Sequence, residues 1–143
     1  MSPWTSLLES LHSALIDEIA ERHPEPKPEL GMPMRQNRFA LPGPLVESVL
    51  MVEVSFESSR GIALIASNSA CLKSLRLTHQ TLWASLLKRA DSEFIRREIR
   101  PKMGQVVQFK ATDPIPRQTL DFKRVIWIPI RIPAGDCFFG IGA

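Results

Sequence analysis

One pattern of alternating apolar residues occurs twice in this chain of 143 residues, and it limits the folds that the sequence can adopt. The stretch VLMVEVSFESSRGIALIA runs from Val49 to Ala66, and VIWIPIRIPAGDCFFGIG runs from Val125 to Gly142. In each stretch apolar residues fill alternate positions, a short polar turn interrupts them, and the pattern then resumes. Such alternation is typical of a β hairpin with one buried face. The sequence therefore predicts two similar hairpins, one in each half of the chain.

A second repeated pattern lies in two amphipathic segments. The sequence WTSLL occupies residues 4–8 and WASLL occupies residues 83–87, each within a series of apolar residues spaced three and four apart. That spacing predicts a first helix over about 3–22 and a second over about 78–100, whose apolar stripe extends to Ile95. Because tryptophan is rare, a W-x-S-L-L motif that accompanies a hairpin in both halves indicates an internal duplication.

The remaining segments connect these helices and hairpins. Proline-rich residues 23–44 predict an extended arm with a short strand near 36–41. The other expected elements are a short helix carrying Cys71, an end of the second helix at Pro101 and Gly104, a strand over 106–111 and a turn-rich connection after it.

Together these elements predict an α+β fold in a single domain, residues 1–143. Each half, about 1–76 and 77–143, supplies one long helix and three strands, in the order αβββ-α-αβββ. One such unit cannot cover its own apolar face, whereas two units related by a pseudo-twofold axis share one sheet with both long helices packed against it. The first helix is acidic and the second is basic, so we expect them to be complementary neighbours.

Composition excludes several classes of protein. No apolar run approaches the roughly 20 residues that cross a bilayer. Glu9 and His12 precede any complete signal-like core, so we expect a soluble, cytoplasmic protein without membrane insertion. Cys71 and Cys137 form no CxxC motif and the histidines lack ligand spacing, so we expect no disulfide framework, no metal site and no cofactor. A net charge of +3 is too small to indicate a nucleic-acid partner by itself.

The order and lengths of these elements resemble, over nearly the whole chain, the CheC/CheX-like domains of bacterial chemotaxis and the middle domain of the flagellar switch protein FliM. The stretch EVSFESSRGIALIASNSACLKSL, residues 53–75, looks like the place where those domains run a strand, a turn, a second strand and a short helix. The resemblance implies a chemotaxis signalling protein that contacts the receiver domain of a response regulator. The alternative that it implies is a non-catalytic adaptor or dimerisation module in a chemotaxis or flagellar complex, with a homodimer as one arrangement.

In CheC and CheX the long helices carry a glutamate followed three residues later by an asparagine, and the family hydrolyses the aspartyl phosphate of the response regulator CheY. The amide holds a water in line with phosphorus while the carboxylate anchors the partner. This chain has no E-x-x-N, and the matching positions of its second helix are Leu87 and Ala90. On the first helix Glu9 and His12 have the family's separation. The resemblance makes them the candidate catalytic pair, Glu9 as anchor and His12 as water-positioner. A solvated pair beside a buried stripe is the alternative, so phosphatase activity stays open.

The second helix carries a basic run, KRADSEFIRREIRPK, at residues 88–102. Its candidate partner-binding residues are Lys88, Arg89, Arg96 and Arg97, which would attract the acidic face of a receiver domain. A nucleic-acid backbone is another partner for such a helix. Interspersed acids and the lack of an adjacent aromatic platform or base-reading module favour an ordinary solvated face over both of these partners.

Two prolines mark the second hairpin. Pro129 and Pro133 lie at the same strand parity, so their missing N–H groups predict an edge strand whose outer side is blocked. A dimer formed through a sheet edge would then use the other edges.

Overall fold

The structure of the protein is a computed structural model that describes residues 2–22 and 28–143. Residues 23–27 of the predicted arm lie outside the described residues. The predicted α+β fold class is confirmed, and the elements follow in this order: α1 (Pro3–Arg22), β1 (Glu29–Leu30), β2 (Met34–Gln36), β3 (Ser48–Phe56), β4 (Ser59–Ser67), α2 (Ser69–Ser74), α3 (His79–Arg96), β5 (Lys102–Lys110), α4 (Arg117–Leu120), β6 (Val125–Ile132) and β7 (Gly135–Gly142).

The second long helix ends earlier than the sequence pattern predicts. Glu98 adopts a left-handed φ of 56°, and the Ile99 N–H donates to the Phe94 carbonyl at 3.0 Å. This Schellman-type arrangement stops α3 at Arg96 with a glutamate where glycine is usual. The predicted end near residue 100 was therefore wrong, and Gly104 lies inside β5.

The strands form one antiparallel sheet in the order β1–β6–β7–β4–β3–β5, with β2 also paired to β6. Taken from β2, the order is β2–β6–β7–β4–β3–β5. Exchanging β2 with β5, β3 with β6 and β4 with β7 gives this same order counted from the opposite edge of the sheet. Each half therefore contributes its first strands to the hairpin of the other half. This order is the one that the predicted pseudo-twofold axis requires, while the duplication itself stays a prediction.

Strand β6 is not an edge strand, so the prediction drawn from its prolines was wrong. Both β1 and β2 pair with it on the side away from β7. Pro129 lies where β1 gives way to β2, and its carbonyl accepts a hydrogen bond from the Gly31 N–H at 2.9 Å. Its missing N–H therefore falls at a break in the pairing, and Pro133 lies in the turn before β7. The outer strand at the opposite side of the sheet is β5.

Both faces of the sheet are buried, because successive side chains of a strand point to opposite sides. On one side, here called the helix face, α1 and α3 cover Leu50 and Val52 of β3. On the other side, the loop face, Phe39 and Val46 pack in a cluster with Met51 of β3. The prediction of hairpins with one buried face was therefore wrong, since the apolar run of β3 supplies two cores.

Candidate functional site

Helices α1 and α3 pack against each other, and ion pairs join them along what we call the ionic seam. The seam consists of Glu9, Glu18 and Glu21 on α1, Arg89 on α3, and Arg97, the residue that directly follows α3. Arg97 Nη1 lies 2.5 Å from Glu9 Oε2, Arg89 Nε lies 2.6 Å from Glu18 Oε2, and Arg89 also pairs with Glu21. The predicted charge complementarity of the two helices is confirmed. Two of the four predicted partner-binding residues thus bind acids of α1, and a third, Arg96, pairs with Glu93 of its own helix.

Glu18 is the buried member of the seam, with only 5% of its surface exposed. Burial acts to raise the pKa of this carboxyl, but hydrogen bonds from Arg89 and Arg22 outweigh burial and hold the pKa below its ordinary value of 4.5. Arg22 Nε lies 2.9 Å from Glu18 Oε1. Glu18 is therefore an ionised group inside the helix pair at neutral pH.

The candidate catalytic residues Glu9 and His12 lie one turn apart on α1, and both are engaged or shielded. The Glu9 carboxylate accepts from Arg97. His12 Nε2 is buried and has no hydrogen-bond partner among the described residues, and burial lowers the pKa of its imidazole. A role in positioning water requires Glu9 to leave Arg97 and His12 to turn toward solvent. Catalysis by this pair stays a prediction.

On α3 the positions that match the family's catalytic pair are apolar and packed. Ala90 is fully buried, and Leu87 packs against the core of the helix face. Neither side chain has a polar atom to hold a water. The exposed side of α3 carries other residues, among them the charged ones of the basic run.

Some of these residues form what we call the α3 ridge, consisting of Lys88, Asp91, Ser92, Ile95 and Arg96. Ile95 is 72% exposed, so its assignment to the buried stripe was wrong. Each helical residue advances about 100° around the axis, so residue 95 lies about 140° from the buried Ala90. A helical wheel drawn from the sequence would have shown this position to be exposed. Lys88 makes no ion pair in the described part of the chain, and Arg96 bonds only to Glu93 of its own helix. The ridge thus joins an exposed isoleucine to two cations that α1 does not use.

The two cysteines, distant in sequence, meet in the fold. Both are free and buried, and Cys137 is paired across the sheet with Ser67, the last residue of β4. The hydrogen bond with Cys71 and burial raise the pKa of the Cys137 thiol, so it is a neutral core group. Across residues 2–22 and 28–143, no three His, Cys, Asp or Glu side chains are grouped closely enough to hold a metal ion.

None of the helices in these two ranges has the length and apolar character that a membrane span needs. No family model matches the sequence, and no curated protein matches it. Solved structures do match. A CheC-like superfamily protein from Shewanella sp. PV-4 has a TM-score of 0.74 at 9% identity, over 99% of this chain and 98% of that one. CheX in a CheX–CheY–BeF3–Mg complex from Borrelia burgdorferi has a TM-score of 0.53 at 10% identity, over 95% and 96% of the two chains.

The FliM middle domain from H. pylori has a TM-score of 0.57 at 11% identity, over 99% of this chain and 92% of that one. Likeness at such identities shows a shared backbone and says nothing of a shared reaction. The protein therefore has the fold found in CheC-like proteins, in CheX and in the middle domain of FliM.

Proposed function

We propose that the protein is a non-catalytic signalling module that binds the receiver domain of a response regulator through the α3 ridge. The observation that carries the proposal is the exposed Ile95 beside Lys88 and Arg96, cations that pair with no acid of α1. The fold supports the proposal because one protein that shares it, CheX from Borrelia burgdorferi, occurs in a complex with CheY.

The chemistry of the ridge suits an acidic partner. Lys88 and Arg96 would attract a negatively charged surface over distances of a Debye length, about 8 Å at physiological salt. Ile95 would then bury apolar area at the centre of the contact, where interface energy is usually concentrated. Arg89 and Arg97 contribute less because the ionic seam already neutralises them, and Glu93 partly neutralises Arg96. Lys88 is the one of these four cations without an ion pair among the described residues.

The polar pair on α1 argues for binding without hydrolysis. The Glu9 carboxylate is held in an ion pair with Arg97, and His12 Nε2 has no access to solvent. In-line attack on an acyl phosphate needs a water held at the phosphorus by an exposed polar group. The α3 ridge offers Ser92 as its uncharged polar side chain, and residues 88–96 of α3 include no asparagine or glutamine.

Binding to the receiver domains of the source organism, each loaded with beryllofluoride and Mg²⁺, tests the proposal. The wild-type protein should bind at least one of them. The double variant Lys88→Glu, Arg96→Glu should bind more than tenfold more weakly because it associates more slowly, and added salt should reduce this difference. Ile95→Ser should weaken binding by faster dissociation. Lys123→Glu, a charge reversal of another exposed lysine, is the matched control and should bind as wild type does. Equal binding by the ridge variants and wild type would place the interface elsewhere.

Dephosphorylation of the phosphorylated receiver tests the non-catalytic part. We expect the wild-type protein to leave the rate of autodephosphorylation unchanged. Acceleration that is lost in a Glu9→Ala, His12→Ala double variant would instead identify a phosphatase that uses the candidate pair. Acceleration that survives in that variant would place catalysis at other residues.

A second candidate is an adaptor that assembles as a homodimer through β5. In the described residues this nine-residue strand pairs only with β3, contains no proline and leaves Val106 46% exposed. An unblocked strand of this length is a template for pairing with another chain. Sedimentation equilibrium should detect a dimer that Val106→Asp dissociates, whereas a monomer at every concentration would exclude the adaptor dimer.

A further inference from the structure

A small cavity with charged residues in its lining lies on the loop face of the sheet, on the opposite side from α1, α3 and the ionic seam. It encloses about 150 Å³ between the neighbouring ends of β3, β4 and β5 and the segment of α4. Two cations, Arg60 and Lys102, and two carboxylates, Glu53 and Asp121, line it together with the apolar side chains of Ile62 and Phe122. No part of the proposed receiver interface contributes to this site.

Strand pairing fixes the cations on either side of Ser55. In the sheet Ser55 pairs with Arg60 of β4 and with Lys102 of β5, so all three side chains leave the same face in one row. Directly paired residues have Cβ atoms about 5 Å apart, so the Cβ atoms of Arg60 and Lys102 lie roughly 10 Å apart, with Ser55 between them. Both side chains are long enough for their charged groups to converge above Ser55.

A β-bulge places the Glu53 carboxylate beside this row. The register of β3 against β5 shifts between Val52 and Val54, so Glu53 has no direct partner in β5. Its side chain lies over Gly104, where an added Cβ would come within 3.1 Å of Glu53 Cβ and 3.3 Å of Glu53 Oε2. Bulges often redirect one side chain next to a functional site. Glycine at this position leaves room for the carboxylate.

Glu53 is also an exception to the pattern of its own strand. On the loop face of β3 it follows Val49 and Met51, both fully buried, and it is itself half-buried. Its carboxylate has no hydrogen bond or ion pair among the described residues, although Arg60 and Lys102 line the same cavity. A half-buried carboxylate without a partner is unfavourable, and such local conflicts between sequence and fold are expected at functional sites.

The contrast with the ionic seam indicates what the cavity accepts. In the seam opposite charges approach to 2.5–2.6 Å, whereas the four charged groups of the cavity stand more than 4.0 Å from any opposite charge in the described part of the chain. A pure anion can pair only with the two cations and meets like charge from the two carboxylates, and a pure cation meets the reverse. A molecule that carries one charge of each sign can pair with both kinds of group.

We propose that this cavity binds a small zwitterion of the amino-acid type. The ligand carboxylate accepts from Arg60 and Lys102, and its ammonium group donates to Glu53 and Asp121. The volume corresponds to about five waters at roughly 30 Å³ each, which matches a free amino acid rather than a peptide or a nucleotide. Ile62 and Phe122 provide the apolar wall for its side chain.

Thermal stability of the full chain with each of the twenty amino acids at millimolar concentration tests the proposal. At least one should raise Tm, because a ligand that binds only the folded state stabilises it. Calorimetry should then show that the N-acetyl derivative and the amide of that amino acid bind at least tenfold more weakly than the zwitterion. Inorganic phosphate, a pure anion, should give no measurable binding.

Variants locate the binding in the cavity. Glu53→Gln and Lys102→Met should each weaken binding of the zwitterion at least tenfold. Gly104→Ala should weaken it to a similar extent without changing any charge. Lys110→Met, at the other end of β5, is the control and should bind as wild type does. The proposal fails if no amino acid raises Tm, if the N-acetyl derivative binds as tightly as the zwitterion, or if the cavity variants bind normally. Because the α3 ridge lies on a different element and face, each of these outcomes is independent of receiver binding.

Discussion

The two long helices share one apolar pattern and differ in almost every polar residue. In the W-x-S-L-L motif Leu7 of α1 and Leu86 of α3 are both fully buried, while Leu8 and Leu87 are both half-buried. Arg89 and Arg97 bind the three glutamates of α1 that belong to the ionic seam, whereas Lys88 of α3 has no ion pair in the described part of the chain. The comparison shows that the sheet constrains the apolar positions of both helices, whereas their outer surfaces were free to specialise.

The tryptophans of the two motifs show how far that freedom extends. Trp83 is only 6% exposed within the core of the helix face. Trp4 is half-buried, donates from Nε1 to the Ser59 hydroxyl at 3.1 Å and packs over Gly61, where an added Cβ would lie 2.5 Å from its ring. The first tryptophan therefore fastens the start of α1 to the β3–β4 hairpin, and the second fills the core.

The largest expected effect tests the equivalence of the helices. Leu7→Ala and Leu86→Ala should each lower the free energy of unfolding by about 2–5 kcal/mol, because each truncation leaves a cavity in the same packed core. Urea denaturation followed by circular dichroism measures both values. Leu8→Ala and Leu87→Ala are the matched controls and should cost less, since both side chains are half-buried. A large loss in one helix and none in the other would break the comparison.

A smaller effect is expected where the helices differ most. Glu18→Gln should lower the free energy of unfolding by about 1–3 kcal/mol. Loss of a fully buried pair costs more, but Arg22 and Arg89 are 36% and 35% exposed and water compensates them in part. Glu21→Gln, at a side chain 67% exposed, is the control and should change stability little. Equal losses in the two variants would show that burial of Glu18 does not matter.

The pH dependence of that loss has a definite sign. Because the pKa of Glu18 is lower in the folded protein than its ordinary value of 4.5, the charged group stabilises the fold above pH 4.5, and this stabilisation is lost as pH falls through the folded pKa. The difference in unfolding free energy between wild type and Glu18→Gln should therefore shrink below pH 4.5. Urea titrations at a series of acidic pH values measure it. A difference that grows in acid would contradict the lowered pKa.

The sequence predicts the strongly periodic parts of this fold and misses its local exceptions. Both long helices, both hairpins and the charge complementarity of the helices follow from apolar spacing and from the distribution of charges. The pairing of β1 and β2 with β6 does not follow, because strands of two and three residues carry no alternation of their own. The end of α3 at a left-handed Glu98 escapes prediction for a similar reason, since that conformation usually belongs to glycine.

The candidate sites were predicted less completely, because each depends on contacts between distant segments. Lys88 and Arg96 could be selected from the basic run, but only the packing of α1 against α3 shows that Arg89 and Arg97 are already paired. Glu53 carries a weak signal, a charge at an inward position of an apolar strand. That Glu53 and Asp121 line the same cavity becomes visible only in the folded structure.

The smallest expected effect concerns the exposed end of the ionic seam. Glu9→Gln, Arg97→Met and the double variant should differ from wild type in stability by less than Glu18→Gln does, because Glu9 is 47% exposed and Arg97 also pairs with Glu93. A double-mutant cycle in urea should show coupling between Glu9 and Arg97 at low salt that disappears at high salt, since exposed charges are screened. Coupling that persists at high salt would mean that this end of the seam is as protected as Glu18. The Glu9→Gln variant should bind the receiver domain as tightly as wild type does. That result would show that the charges that join the two helices are distinct from the charges that α3 presents to a partner.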